Sequence, residues 1–71
     1  MSELSFGRFI LDQANAPGVL GELAKAAWSD PHFPKDGSPE DVSRRLNERE
    51  APGEFHDALD EAVSAWQALP Y

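Results

Sequence analysis

The chain has 71 residues, with thirteen acidic and six basic side chains and no cysteine. This length supports one domain, residues 1–71, with a small core, and the lack of cysteine excludes disulfides, thiolate metal sites and cysteine nucleophiles. The net charge of −7 disfavours binding to phosphate backbones or anionic membrane surfaces, and it favours basic partners or simple solubility.

No apolar run approaches the roughly 18 residues that a membrane span requires. The first residues also lack the basic region and apolar stretch that signal peptides carry. We therefore expect a cytoplasmic protein without membrane attachment.

Four helices and no strand are predicted. The first begins at Ser5, a favourable N-cap, and ends near Asn15, ahead of an Ala-Pro-Gly break. Its apolar side chains follow helical spacing: Phe6, Phe9 and Ile10. Gly7 weakens this helix by about 1 kcal/mol relative to alanine. Its lack of a side chain suggests that another helix approaches closely at this point.

The second helix has a stripe of leucines and small residues, a pattern that suits close helix packing. The stripe consists of Leu20, Leu23, Ala24 and Ala27, and Trp28 extends it. The helix is predicted to end around Ser29 or Asp30, because Pro31 cannot continue it.

The linker at residues 30–35 carries Phe33 near two prolines that keep the backbone out of helix. We expect Phe33 to fill the core between the second and fourth helices, and the alternative is an exposed interface anchor. Trp28 and Trp66 are also expected in the core, with an indole edge that can reach the surface.

The third helix has the clearest start signal. Ser38 is followed by Pro39 at the first helical position and by Asp41 three residues on, which predicts a capping box with Asp in place of the usual Glu. Its apolar stripe is thin and consists of Val42 and Leu46.

The fourth helix has the strongest amphipathic pattern. Its apolar side chains keep a helical period over nearly four turns: Phe55, Ala58, Leu59, Ala62, Trp66 and Leu69. Residues 51–53 form the connection before it, and Pro70 closes it.

Several of these residues together resemble the YozE family of small bacterial proteins. They are Ser5-Phe6, Leu23-Ala24 with Ala27, the motif Asp30-x-x-Phe33-Pro34-Lys35, Leu46, and Asp60-Glu61-Ala62 with Trp66. The motif between the helices is the specific part, and the chain departs from the family pattern at Gly7 and in its arginine-rich third helix. The resemblance implies a compact bundle similar to the sterile alpha motif, and it implies no established activity. Related folds bind proteins, form polymers or bind nucleic acid, so the fold does not fix the function.

Two charged surfaces are the candidate interaction sites. The third helix carries the basic one, which consists of Arg44, Arg45 and Arg49. The fourth helix carries the acidic one, which consists of Glu54, Asp57, Asp60 and Glu61. Within the third helix, two acidic residues stand four positions before two of the arginines, which predicts the ion pairs Glu40–Arg44 and Asp41–Arg45.

These surfaces predict a small non-enzymatic module that binds another protein or itself. Because the two surfaces are electrically complementary, a head-to-tail contact between copies is one form of that hypothesis. The alternative is a nucleic-acid-binding module that uses the third helix, which the net charge opposes. An acidic mimic that occupies a nucleic-acid-binding protein shares the net charge but has no signature at individual residues.

No catalytic, metal or cofactor site is predicted. His56 and Asp60 have the spacing of two ligands on one helix face, and His32 lies near Asp30, but two ligands do not make a structural metal site. The serines lack an activating base, and residues 18–21 have glycines without the lysine or the preceding strand of a phosphate loop. The sequence therefore predicts no enzyme.

Overall fold

The computed structural model of the protein describes residues 4–69, which form four α-helices, one 3₁₀ helix and no strand. In chain order these are α1 (Phe6–Leu11), the 3₁₀ helix (Asp12–Asn15), α2 (Gly18–Trp28), α3 (Pro39–Glu48) and α4 (Gly53–Gln67). The predicted all-α bundle of four main helices is confirmed. The first predicted helix is divided, since the 3₁₀ helix forms its last turn. Pro70, predicted to close the fourth helix, lies outside the described residues.

Local capping signals set the start of two helices, as predicted. At α1, the Ser5 Oγ accepts a hydrogen bond from the Arg8 N–H at 3.3 Å. At α3, the Asp41 N–H donates to the Ser38 Oγ at 3.3 Å, and the Ser38 N–H donates to the Asp41 Oδ2 at 3.0 Å. This reciprocal capping box follows directly from the residue pattern and fixes the end of the linker that leads into α3.

The C-terminus of α3 ends on a left-handed residue that is not glycine. Glu50 has φ 54°, its N–H donates to the Asn47 carbonyl at 3.1 Å, and the Ala51 N–H donates to the Leu46 carbonyl at 3.0 Å. These two bonds form a Schellman-type cap, in which glycine is the usual residue at the left-handed position. The cap turns the chain sharply and leaves Glu50 exposed beyond the end of the helix.

The core draws on all four α-helices and on the linker. Its larger members are Phe6, Phe9, Ile10, Leu11, Leu23, Phe33, Val42, Leu46 and Leu59. The burial of Phe33 confirms its predicted place in the core rather than on the surface. Trp66 meets Phe6 edge to face, with ring centroids 5.4 Å apart, and its indole N–H donates to the Leu4 carbonyl at 2.8 Å. Such pairs add about 0.5–1.5 kcal/mol to the burial of the rings.

Trp28 is not in the core, so its predicted place is wrong. The residue is 64% exposed, and its indole N–H donates to the Leu11 carbonyl at 2.9 Å. It lies at the last turn of α2, where the indole N–H meets the end of α1.

The helices are packed unevenly around this core. α2 packs against α1, the 3₁₀ helix and α4, whereas α3 packs against α4 and α1. α2 and α3 do not pack directly on each other. Since α3 buries only Val42 and Leu46, the thin stripe predicted for it is confirmed. The space between α2 and α3 is covered in part by the linker.

Candidate functional site

In the structure the linker between α2 and α3 comprises residues 29–38, and its C-terminal half is held by α1 and its N-cap. The Ser5 Oγ donates to the Lys35 carbonyl at 2.8 Å, and the Arg8 Nε donates to the Asp36 Oδ1 at 2.8 Å. The Arg8–Asp36 pair is solvent-exposed, so water screens most of its Coulomb energy. These contacts hold the C-terminal half of the linker in place.

Gly7 lets the linker backbone lie directly on α1. Its N–H donates to the Gly37 carbonyl at 3.3 Å, and a Cβ atom at this position would lie only 2.1 Å from the Pro34 carbonyl oxygen. The sequence suggested a close approach at Gly7 but assigned it to another helix. The approaching segment is the linker, whose residues 34–37 form a turn on α1, closed by a hydrogen bond from the Gly37 N–H to the Pro34 carbonyl at 3.0 Å.

Asp30 forms the second attachment of the linker, and it is the only charged or polar residue that is buried within residues 4–69. Its carboxylate accepts two parallel bonds from Arg45, Nε to Oδ2 and Nη2 to Oδ1, both at 2.8 Å. The Arg49 Nη1 lies 3.2 Å from Oδ1, and the His32 N–H donates to Oδ1 at 3.0 Å. The two-bond geometry is the strongest form of an arginine–carboxylate contact. Asp30, Arg45 and Arg49 are called the ion network below.

The ion network shifts the pKa of both main partners away from neutral pH. The hydrogen bonds from Arg45 hold the pKa of Asp30 well below its usual range, against the opposing effect of burial, and the His32 N–H and Arg49 lower it further. In turn Asp30 raises the pKa of Arg45 above its usual value. Both groups keep their charges at physiological pH, so they act as a fixed structural pair.

The two ion pairs predicted inside α3, Glu40–Arg44 and Asp41–Arg45, do not form. Arg44 instead pairs with Asp41, one residue closer, at 3.4 Å. Asp41 is already positioned by its capping bond to Ser38, and Arg45 turns away from it toward Asp30. A buried carboxylate with matching geometry therefore prevails over the exposed pairing that helix spacing alone predicts.

The predicted basic surface is consequently divided. The side chain of Arg44 is 70% exposed, that of Arg49 46% and that of Arg45 23%. Arg45 and Arg49 face the linker, and Arg45 also contacts Glu48 at 3.3 Å. Only Arg44 projects mainly into solvent.

A groove of about 190 Å³ lies between α2 and α3, next to the ion network. Its apolar lining includes Leu23, Ala26, Ala27, Leu46, Pro52 and Phe55, and its charged residues are Asp30, Arg45, Arg49 and Glu50. A cavity of about 150 Å³ holds benzene, whereas drug-sized ligands occupy roughly 300–1,000 Å³. The groove therefore has the size of one ring or one branched side chain. We call it the α2–α3 groove.

The sequence did not reveal this groove. It lies where α2 presents the small side chains of Ala26 and Ala27 and where α3 is joined to Asp30 rather than packed on α2. Asp30 and Arg45 are fifteen positions apart, so no local spacing rule links them. The sequence offered two signals: Asp30, a charged residue between the end of α2 and Pro31, and the thin apolar stripe of α3.

The predicted acidic surface is exposed, and most of it is contiguous. Glu54, Asp57 and Glu61 share a shallow depression with the start of α2, where Val19 and Leu20 supply apolar contacts. Asp60 is exposed as well but lies outside this depression. Helical spacing explains the difference, since the first three residues are separated by three and four positions.

The histidines do not assemble a metal site in the part of the chain that the structure describes. No group of three or more His, Cys, Asp or Glu side chains within residues 4–69 could hold a metal ion. His32 contributes its backbone N–H to Asp30, whose two oxygens already bind arginine. None of the helices in residues 4–69 combines the length and the apolar character needed to cross a membrane.

Comparison with known proteins gave no matching family model, no matching curated protein and no matching solved structure.

Proposed function

We propose that this chain is a non-enzymatic protein-interaction module whose α2–α3 groove receives one apolar side chain of a partner. The observation that carries the proposal is the groove itself, which is apolar, the size of one side chain, and bordered by a fixed ion network. Pockets that accept a single anchoring side chain are typical of the energetic centres of protein interfaces.

The arrangement of charges supports a binding role rather than catalysis. A catalytic acid or base needs a pKa near the working pH and access to a substrate. The clearly shifted groups of residues 4–69 are instead ion-paired, Asp30 with Arg45 and Asp36 with Arg8, and pairing moves each pKa away from neutrality.

Nucleic-acid binding through α3 is the weaker proposal. Arg45 and Arg49 are engaged by Asp30, which leaves Arg44 as the most exposed arginine of the helix. The net charge of −7 also counts against this mode of binding.

Membership of the YozE family, with its sterile-alpha-motif-like fold and its bacterial setting, remains a proposal of its own. It is supported by the motif Asp30-x-x-Phe33-Pro34-Lys35, whose residues have clear structural uses in this chain. Asp30 joins the linker to α3, and Phe33 belongs to the core. A cytoplasmic location belongs to the same proposal and is supported by the lack of cysteine.

The groove is tested with N-acetyl amino-acid amides, which present one side chain each. We expect the leucine, phenylalanine and tryptophan amides to shift the backbone amide signals of Ala26, Ala51 and Phe55 in ¹⁵N-labelled protein. Serine amide should not shift these signals, because a polar side chain gains little binding free energy from burial in an apolar groove. Ala26→Trp fills the groove and should reduce these shifts at least about fivefold.

Ala65→Trp is the matched control, since Ala65 is exposed on α4 and outside this groove. It should leave the shifts unchanged. Shifts that spread over the whole surface, or that persist in Ala26→Trp, would contradict a binding role for the groove.

A further inference from the structure

Trp28 is the exposed large apolar side chain of residues 4–69, and its orientation is fixed. The residue is 64% exposed, while its indole N–H donates to the Leu11 carbonyl at 2.9 Å. An aromatic ring that is already positioned loses little conformational freedom on binding, which is why tryptophan is enriched among the residues that dominate interfaces.

We propose that Trp28 of one copy of this chain occupies the α2–α3 groove of the next copy. The groove volume of about 190 Å³ suits one aromatic ring, given that about 150 Å³ holds benzene. The inference rests on the proposed function of the groove and names its occupant as a second copy of the chain.

The contact is head-to-tail, because the ring and the groove lie on opposite sides of α2. At 3.6 residues per turn, Trp28 points about 160° away from Ala26, which lines the groove. A two-fold dimer would need both surfaces on the same side of the molecule. Two opposed surfaces instead build an open row of copies, or a ring if the rotation closes.

Charge complementarity supports a second copy as the occupant. Lys25 stands three residues before Trp28, on the same exposed side of α2, and it makes no ion pair within residues 4–69. Glu50 lines the groove and is exposed, with no ion pair inside the same range. Insertion of Trp28 into the groove of the next copy brings Lys25 toward Glu50.

The contact is small, so association is weak and shows only at high concentration. Interfaces that bury less than about 1,200 Å² are typical of transient complexes. We expect the weight-average mass in sedimentation experiments to rise above the 7.8 kDa of one chain as the protein is concentrated from about 10 μM to about 1 mM at low salt. Trp28→Ala and Ala26→Trp should each weaken the association on the order of thirtyfold.

Mixing these two variants tests the head-to-tail geometry. Trp28→Ala keeps the groove and loses the ring, whereas Ala26→Trp keeps the ring and fills the groove. Each should remain a monomer alone, and the mixture should form a one-to-one dimer that grows no further. Lys25→Glu and Glu50→Lys should each weaken wild-type association about two- to fivefold, and the double variant should recover it.

Wild-type protein that stays at the mass of one chain over the whole range would overturn the inference, as would a mixture that remains monomeric. The amide titration separates this failure from failure of the groove itself. Trp28→Ala still has the groove, so tryptophan amide should shift its Ala26 and Ala51 signals. Amide binding without self-association would mean that the groove receives a different protein.

Discussion

Asp30 carries a full charge although only 3% of its side chain meets solvent. Burial of an unpaired carboxylate is strongly unfavourable. The two bonds from Arg45 and the contact from Arg49 therefore stabilise the charged form of Asp30 in the fold. Removal of one member of a buried ion pair lowers the free energy of unfolding by about 3–5 kcal/mol. Because Arg45 is partly exposed, we expect a loss of about 3 kcal/mol for this pair. The total free energy of unfolding of a domain of this size is only about 4–11 kcal/mol.

The folded-state pKa of Asp30 makes stability depend on pH. An unfolded aspartate titrates near 3.9, whereas Arg45 holds the folded pKa well below that value. The stabilisation is therefore complete above about pH 5 and is lost as the pH falls through 4 toward the folded pKa. We expect the free energy of unfolding in urea to fall over this range in the wild type and to fall much less in Asp30→Asn.

Asp36→Asn is the control for this pH dependence. The pKa of Asp36 is also lowered, by Arg8, but both side chains of that pair are more than half exposed. Removal of the Asp36 carboxylate should therefore change the pH dependence of the unfolding free energy only slightly. An Asp30→Asn profile parallel to that of the wild type would mean that the ion network does not control acid stability.

At the scale of the elements, the sequence predicts what local signals determine. The starts of α1 and α3 follow from Ser5 and Ser38, and α2 ends before Pro31. The arginine pairing and the exposure of Trp28 could not be predicted in this way. They depend on which segment lies beside which, and a rule based on helix spacing has no access to contacts made across fifteen or more positions.

Substitution of Gly7 by alanine is a test in which helix propensity and packing predict opposite effects on stability. Helix propensity alone predicts that Gly7→Ala stabilises the protein by about 1 kcal/mol. A Cβ would, however, lie 2.1 Å from the Pro34 carbonyl oxygen, which is backbone and cannot turn aside. We expect a net destabilisation of about 1–3 kcal/mol in urea unfolding, the usual range for overpacking.

Gly53→Ala is the matched control for this prediction. Gly53 begins α4, and a Cβ there meets no atom within 4 Å. This substitution should stabilise the protein by about 0.4–1 kcal/mol. If Gly7→Ala were stabilising to the same extent, the linker would not lie on α1 as described.

At the scale of the whole molecule, the linker connects α1, α3 and the core. α1 holds its C-terminal half, Asp30 joins its start to α3, and Phe33 enters the core. Because α2 and α3 have no direct packing, the spacing between them depends on these linker contacts together with the packing of both helices on α1 and α4. The all-α class and the helix order could be read from the sequence. The groove could not, since the residues that line it come from parts of the chain as far apart as Leu23 and Phe55.

Asp30 and Arg45 act together to hold α3 against the linker, and both line the groove. A double-mutant cycle with Asp30→Asn and Arg45→Gln tests this claim most directly, through the unfolding free energies of the four proteins in urea at pH 7. The predicted coupling energy between the two residues is about 2 kcal/mol or more. Additivity within about 0.5 kcal/mol would contradict the claim.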